Sequence, residues 1–108
     1  MNNRVKKTIF TMPFIVDFMS PADSVGDSTL IKSVTFNGYI QEKIAVVINA
    51  NGEEETSGVQ VYATGADIVT IDTSSLVSCL TYKSRKIIKR DCYYKPGGIP
   101  DVGVLYLP

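Results

Sequence analysis

Phe10, Met12, Phe14, Val16 and Phe18 occupy every second position of one stretch. A period of two is the signature of a strand lying on a core, because successive side chains point to opposite faces. The period returns along most of the chain. Leu30, Val34 and Phe36 share a face that Lys32 interrupts, while Ser33, Thr35 and Asn37 take the other. Asn37-Gly38 is a strong tight-turn pair. Ile40, Ile44, Val46 and Ile48 beyond it point one way, so residues 30–49 are predicted to form a β-hairpin. Asn49-Ala50-Asn51-Gly52 marks a second turn, extended by Glu53-Glu54-Glu55 into a solvated loop. Val59, Val61 and Ala63 are expected inside a further strand, and Ile68-Val69-Thr70-Ile71 is a candidate short strand between turns. Leu80-Thr81-Tyr82 and residues 86–94 suggest a hairpin closed at Lys83-Ser84-Arg85, and residues 102–107 a last strand after a Pro/Gly loop.

No window places apolar residues at helical spacing over three turns, and β-branched residues and tyrosine dominate the periodic segments. About seven short strands with turn signals roughly every 8–12 residues predict an all-β fold, a small antiparallel β-barrel or sandwich. With 108 residues there is material for a single domain, residues 1–108, and one modest core. The largest interruption is the 11-residue stretch 19–29, long for a domain of this size; loops of that length are functional or mobile.

Function classes narrow by exclusion. Eleven basic and eleven acidic side chains cancel, so no global field recruits nucleic acid or membrane. Histidine is absent, which removes the usual proton-transfer group and the commonest metal ligand. Asp67 and Asp72 sit at turns, where aspartates ordinarily bond their own backbone. Gly97-Gly98 has no following Lys-Ser/Thr and no helix, so it is not a phosphate loop. The chain is expected to have no catalytic, metal or cofactor residues. Cys79 and Cys92, 13 positions apart, fit no zinc pattern and are expected to be reduced strand residues; a secreted domain with one bridge is the alternative. Arg4, Lys6 and Lys7 before residues 8–16 resemble a signal peptide faintly, but Pro13 and Asp17 break the run and no cleavage site follows. No apolar run is long enough for a membrane helix.

Charge placement is more informative than net charge. Residues 51–80 hold five acidic and no basic side chains, while residues 81–108 hold six basic and two acidic ones. Glu53, Glu54 and Glu55 of one subunit meeting Arg85, Lys86, Lys89 and Arg90 of the next would suit a head-to-tail ring. Tyr82, Lys89, Arg90 and Tyr93 alternatively suit an oligonucleotide-binding barrel, with cations on the backbone and rings on the bases. Lysines that blunt an exposed strand edge give the same pattern.

The C-terminal half resembles a known family. Gly52-Glu53-Glu54-Glu55-Thr56-Ser57-Gly58-Val59-Gln60-Val61-Tyr62 is a polar Gly-Glu turn leading into a strand that ends in an aliphatic–aromatic pair. Asp67-Ile68-Val69-Thr70-Ile71-Asp72 and Leu80-Thr81-Tyr82-Lys83-Ser84-Arg85-Lys86-Ile87-Ile88 follow as an aspartate turn, a strand, a short tip and a strand. Pro96-Gly97-Gly98-Ile99-Pro100-Asp101 then leads into a final strand closing in Tyr106-Leu107. Over residues 52–107 this layout resembles the small β-barrel head-closure proteins of the tailed-phage neck. The resemblance implies a non-enzymatic, cofactor-free virion protein, assembled in the host cytoplasm, that rings the exit channel, retains packaged DNA and docks the tail. Its implied partners are copies of itself, the portal or adaptor, and tail proteins, close to packaged DNA and away from membranes. Residues 1–36 carry no such likeness, so another phage ring protein, a tail terminator or tail-completion protein, is an alternative. On this reading Pro21, Asp23, Gly26 and Asp27 form the candidate channel loop, whose aspartates would repel phosphates as a gate does.

Overall fold

A computed structural model describes residues 9–20, 29–49 and 51–108. Seven strands form one antiparallel system: β1 (Met12–Met19), β2 (Leu30–Ile48), β3 (Glu54–Thr64), β4 (Leu76–Cys79), β5 (Tyr82–Lys86), β6 (Lys89–Lys95) and β7 (Ile99–Leu107). One helical turn, α1 (Gly65–Ile68), interrupts them after β3. The strand order is β5-β4-β1-β2-β3-β7-β6, and every ladder is antiparallel.

β2 organises the fold. Its 19 residues would run about 60 Å if straight, at roughly 3.3 Å per residue. The longest dimension of the molecule is 46 Å, so the strand bends. Its first half pairs with β1, from Met12↔Gly38 to Met19↔Leu30. Its second half pairs on the opposite edge with β3, from Tyr39↔Tyr62 to Ile48↔Glu54. The predicted turn at Asn37-Gly38 is therefore absent, and residues 30–49 are not a hairpin. Gly38 lies within the strand because a Cβ there would sit 2.3 Å from the Tyr62 carbonyl oxygen and 2.9 Å from a Phe14 ring carbon. Glycine here serves close approach of two strands rather than chain reversal.

The β1 alternation behaves as predicted. Phe14 and Val16 are buried, and Met12 and Phe18 pack at the core margin; Phe10, expected on the same strand face, precedes β1 and is buried outside this core, beside Tyr39, Tyr62 and Val102. Phe14 stacks on Phe36 with ring centroids 5.6 Å apart. Lys32, which broke the apolar face of β2, lies 5.1 Å above the Phe18 ring, an arrangement that keeps its charge in water while covering apolar surface. Val59, Val61 and Ala63 of β3 are buried as expected. Together with Val77 and Cys79 of β4, Leu105 and Leu107 of β7, Ile40, Ile68, Ile71 and Ile87 they make one core between the two halves of the sheet.

Two further expectations are corrected. Residues 68–71 do not form a strand: Thr64 caps α1 through Oγ1, which accepts from the Asp67 amide, and the chain then turns through Thr70 N–H to Asp67 C=O and Ile71 N–H to Ile68 C=O. Capping and burial of Ile68 override the β-propensity of Ile, Val and Thr. The C-terminal hairpins also pair differently. β4 turns into β5 at Leu80-Thr81, placing Lys83, Ser84 and Arg85 inside β5 rather than at a tip. β6 pairs with β7, around a loop in which Gly97 and Gly98 take positive φ. Only Ile87 and Ile88 separate β5 from β6, the two ends of the strand order, so the sheet curls back toward itself. Among the described residues no ladder joins those ends; instead the Ile88 amide donates to the Tyr106 carbonyl at 2.8 Å.

Candidate assembly surface

Beyond Glu42 the β2–β3 pair is a largely exposed two-stranded arm, and it begins at a β-bulge. Glu42 faces Val59 but Ala45 faces Ser57, so β2 carries one extra residue there. The bulge leaves a carbonyl at Lys43 without its ladder donor, and Gln60 supplies one: its Nε2 donates to the Lys43 oxygen at 2.9 Å. The same Nε2 donates to Ser57 Oγ at 3.0 Å, and Ser57 Oγ donates in turn to the Leu107 carbonyl at 2.7 Å. Gln60 is only 2% exposed, so this network ties the root of the arm to β7 in a dry setting where unmade bonds are costly.

The bulge also shifts the parity of β2. Ile40 remains in the core, but Ile44, Val46 and Ile48, expected on the same side, are 80%, 65% and 47% exposed. This corrects the sequence reading. An extra residue exchanges the two faces of a strand.

The tip is ordered by Asn49. Its side-chain oxygen accepts from the amides of Asn51 and Glu53, at 2.9 and 3.1 Å, and its Nδ2 donates to Glu55 Oε1 at 3.1 Å. Gly52 takes a positive φ of 78°. Glu53, Glu54 and Glu55 are exposed, as predicted for a solvated acidic loop, although Glu54 and Glu55 already belong to β3.

The predicted cationic partners divide among different places. Lys83, Arg85 and Lys86 are exposed along β5, with the Arg85 guanidinium 5.3 Å over the Tyr82 ring. Lys86 shares a depression of its own chain with Glu55, Asn49, Ile87, Ile88 and Pro108, so the acidic tip and this cation lie on one side of the molecule. Lys89 pairs with Asp91 at 3.5 Å. Arg90 is engaged within its own chain: its Nη1 donates to the Ile71 carbonyl at 2.6 Å and approaches that of Val69 at 3.4 Å, clamping the turn after α1.

Of the four residues expected to bind oligonucleotide, Tyr82 stands on β5 and Lys89, Arg90 and Tyr93 on β6, strands joined by Ile87 and Ile88 but not laddered to each other. Lys89 and Tyr93 do share a face of β6, opposite Tyr106 and Val102 of β7. Tyr62 and Tyr39 continue that face, their rings 6.4 Å apart. Burial raises the Tyr106 phenol above its ordinary pKa, and Tyr93, Asp91 and Tyr62 raise it further. The signal for this tyrosine face lay in the alternation of β3 and β7, which the sequence reading used only for the core.

Pro21, Asp23, Gly26 and Asp27 lie outside the described residues. The described residues on either side of them are bonded to each other: the Ser20 amide donates to the Thr29 carbonyl at 2.8 Å and the Thr29 amide to Ser20 Oγ at 3.0 Å. Asp72 fulfils the turn role expected of it, accepting from the amide and hydroxyl of Ser74; these bonds hold its carboxyl below the usual pKa. Asp67 accepts through its backbone carbonyl from the Thr70 hydroxyl at 2.6 Å. Cys79 and Cys92 are free thiols, and burial pushes the Cys79 thiol up, away from the reactive thiolate. Among the described residues no group of three or more His, Cys, Asp or Glu side chains gathers as a metal site, and no helix is long and apolar enough to cross a membrane. No protein-family model matches the chain, and comparison with curated proteins gives no match.

Proposed function

We propose that this chain is a structural subunit of the head–tail junction of a tailed phage, forming a ring of identical copies around the channel that DNA crosses. The curled sheet acts as a small barrel, open between β5 and β6, and the β2–β3 arm reaches to a neighbour. The observation that carries the reading is the arm itself: a two-stranded segment rooted by Gln60, whose exposed side is apolar and whose tip is acidic. A lone monomer gains nothing from such a surface, whereas a repeating contact between subunits uses it. The likeness of residues 52–107 to neck proteins supplies the setting. Quantitative mass spectrometry of purified particles from the encoding phage or induced lysogen tests the reading. It expects about one copy per portal subunit; absence from particles ends it.

One observation favours a second reading, an oligonucleotide-binding barrel: Lys89 and Tyr93 stand on the tyrosine face with Tyr62 and Tyr106. On that reading single strands bind at low salt, and Lys89→Ala lowers the salt slope by about 1. A titration at low salt that shows no binding removes it.

A further inference from the structure

The strand system leaves several edges unpaired, and they are treated differently. β5 and β6 each have one partner, and their free edges carry Lys83, Arg85 and Lys86 in the first and Lys89, Arg90 and Lys95 in the second. Cations on an edge strand discourage the addition of a foreign strand. β2 is also an edge over its second half, since β3 lies on one side and β1 has already ended at Met12↔Gly38. Over residues 44–48 its sequence is Ile-Ala-Val-Val-Ile, with no charge, no proline and no glycine. Among the described residues nothing pairs with that edge. Short uncharged β-branched segments on an open edge are the usual sites of strand addition and aggregation. A chain that leaves this one unprotected, beside two protected edges, has a use for it.

We infer that residues 44–48 of β2 receive strand β5 of a second copy, continuing the sheet from one subunit into the next. This rests on the ring reading and names its contact. Three features select β5. Its length is five residues, equal to that of the bare segment. Its outer edge is free, as strand addition requires. Its charge is complementary: three of its five residues are cationic, while β3 beside the bare segment sets Glu54 opposite Ile48 and Glu55 opposite Val47, with Glu53 at the turn. The lysine and arginine stems can lie across Ile44, Val46 and Ile48 while a charged end reaches Glu54, which shares that face opposite Ile48. The same cations repel a second β5, so an edge that resists its own kind accepts the acidic arm. Made once between each two copies, the contact is heterologous and continues from subunit to subunit around an axis.

The test uses the full-length chain with Cys92→Ser to remove the accessible native thiol. Val46→Cys and Ser84→Cys are introduced in separate preparations, mixed and oxidised; both native side chains are exposed, so neither change disturbs the core. The inference expects a disulfide between Val46→Cys and Ser84→Cys, and at least a tenfold lower yield for Val46→Cys alone. Charge reversal Lys83→Glu with Lys86→Glu lowers the mixed yield, and adding Glu54→Lys with Glu55→Lys in the partner restores it. Self-linking of Val46→Cys overturns the inference in favour of a two-fold dimer through β2. Absence of either product overturns it too, as does protection in the monomer of those amides of residues 44–48 that point away from β3, which would mean that the chain covers its own edge. The ring reading is judged separately by copy number in particles: a ring present there without the Val46–Ser84 link discards the contact and keeps the ring.

Discussion

The body of the molecule and its arm are built from similar residues put to opposite use. In the body, Phe14, Val16, Val61, Val77 and Leu105 are removed from water and Gly38 lets two strands approach closely over the Phe14 ring. In the arm, Ile44, Val46 and Ile48 are as β-prone and as apolar, yet they face solvent. Between them stands one extra residue in β2 and one side chain, Gln60, that satisfies the backbone this residue disturbs. The difference teaches that burial here is decided by register rather than by composition. A one-residue shift converts core-forming sequence into surface-forming sequence.

Substitutions can break this contrast at graded cost. Removing the body's anchor with Phe14→Ala empties a site that is almost fully buried and loses the stack on Phe36. It is expected to cost about 3–5 kcal/mol in urea denaturation, enough to unfold a marginal domain. Gln60→Leu attacks the joint between the regions, stranding the Lys43 carbonyl and one acceptor lone pair of Ser57. The expected cost is about 1–3 kcal/mol. Hydrogen exchange should also quicken in residues 44–48 and 53–57 more than in β1 or β4, because the arm loses its root. Equal acceleration everywhere would show that the arm and the body unfold as one unit.

Two smaller effects sharpen the comparison. Leu80 holds φ at 51° in the two-residue β4–β5 connection, a left-handed conformation that costs a residue with a branched side chain about 1–2 kcal/mol. Leu80 is half exposed, so Leu80→Gly should stabilise the fold by roughly 0.5–1 kcal/mol once the added freedom of the unfolded chain is counted. A loss of stability would show that its side chain packs more than its exposure suggests. Val46→Lys should change folding stability by no more than about 0.5 kcal/mol, since the side chain is already in solvent. It should nevertheless lower incorporation into particles, because a charge now guards the bare edge.

The legible parts of the fold are those where local pattern and tertiary role coincide. β1 alternates plainly, and Phe14 and Val16 of β1 and Val59, Val61 and Ala63 of β3 were identifiable as inward residues from period alone. Misreadings arose where tertiary structure overrode a local signal. Asn37-Gly38 has the composition of a tight turn, but the glycine is required by the nearby Tyr62 carbonyl, a contact 24 residues away in sequence. The true turn, Leu80-Thr81, contains neither glycine nor asparagine and so gave no signal. Ile68-Val69-Thr70-Ile71 reads as strand and is instead the end of a helical turn and the turn after it, fixed by Thr64 and by the Arg90 guanidinium. Of the candidate surface, the acidic run was visible because charge needs no partner to be recognised. The apolar segment beside it was not, because its exposure depends on a bulge. Even so, the run Ile44-Ala45-Val46-Val47-Ile48 departs from alternation, and that departure was the available sign.

The account depends most on the claim that residues 44–48 are open in the free chain and covered in the assembly. Hydrogen–deuterium exchange of the chain, free in solution and incorporated in particles, measures this directly. The account expects the amides of 44–48 that point away from β3 to exchange quickly in the free chain, and expects those amides and residues 82–86 to gain protection together on assembly. Unchanged exchange at both segments in the particle, with protection gained elsewhere, would contradict it.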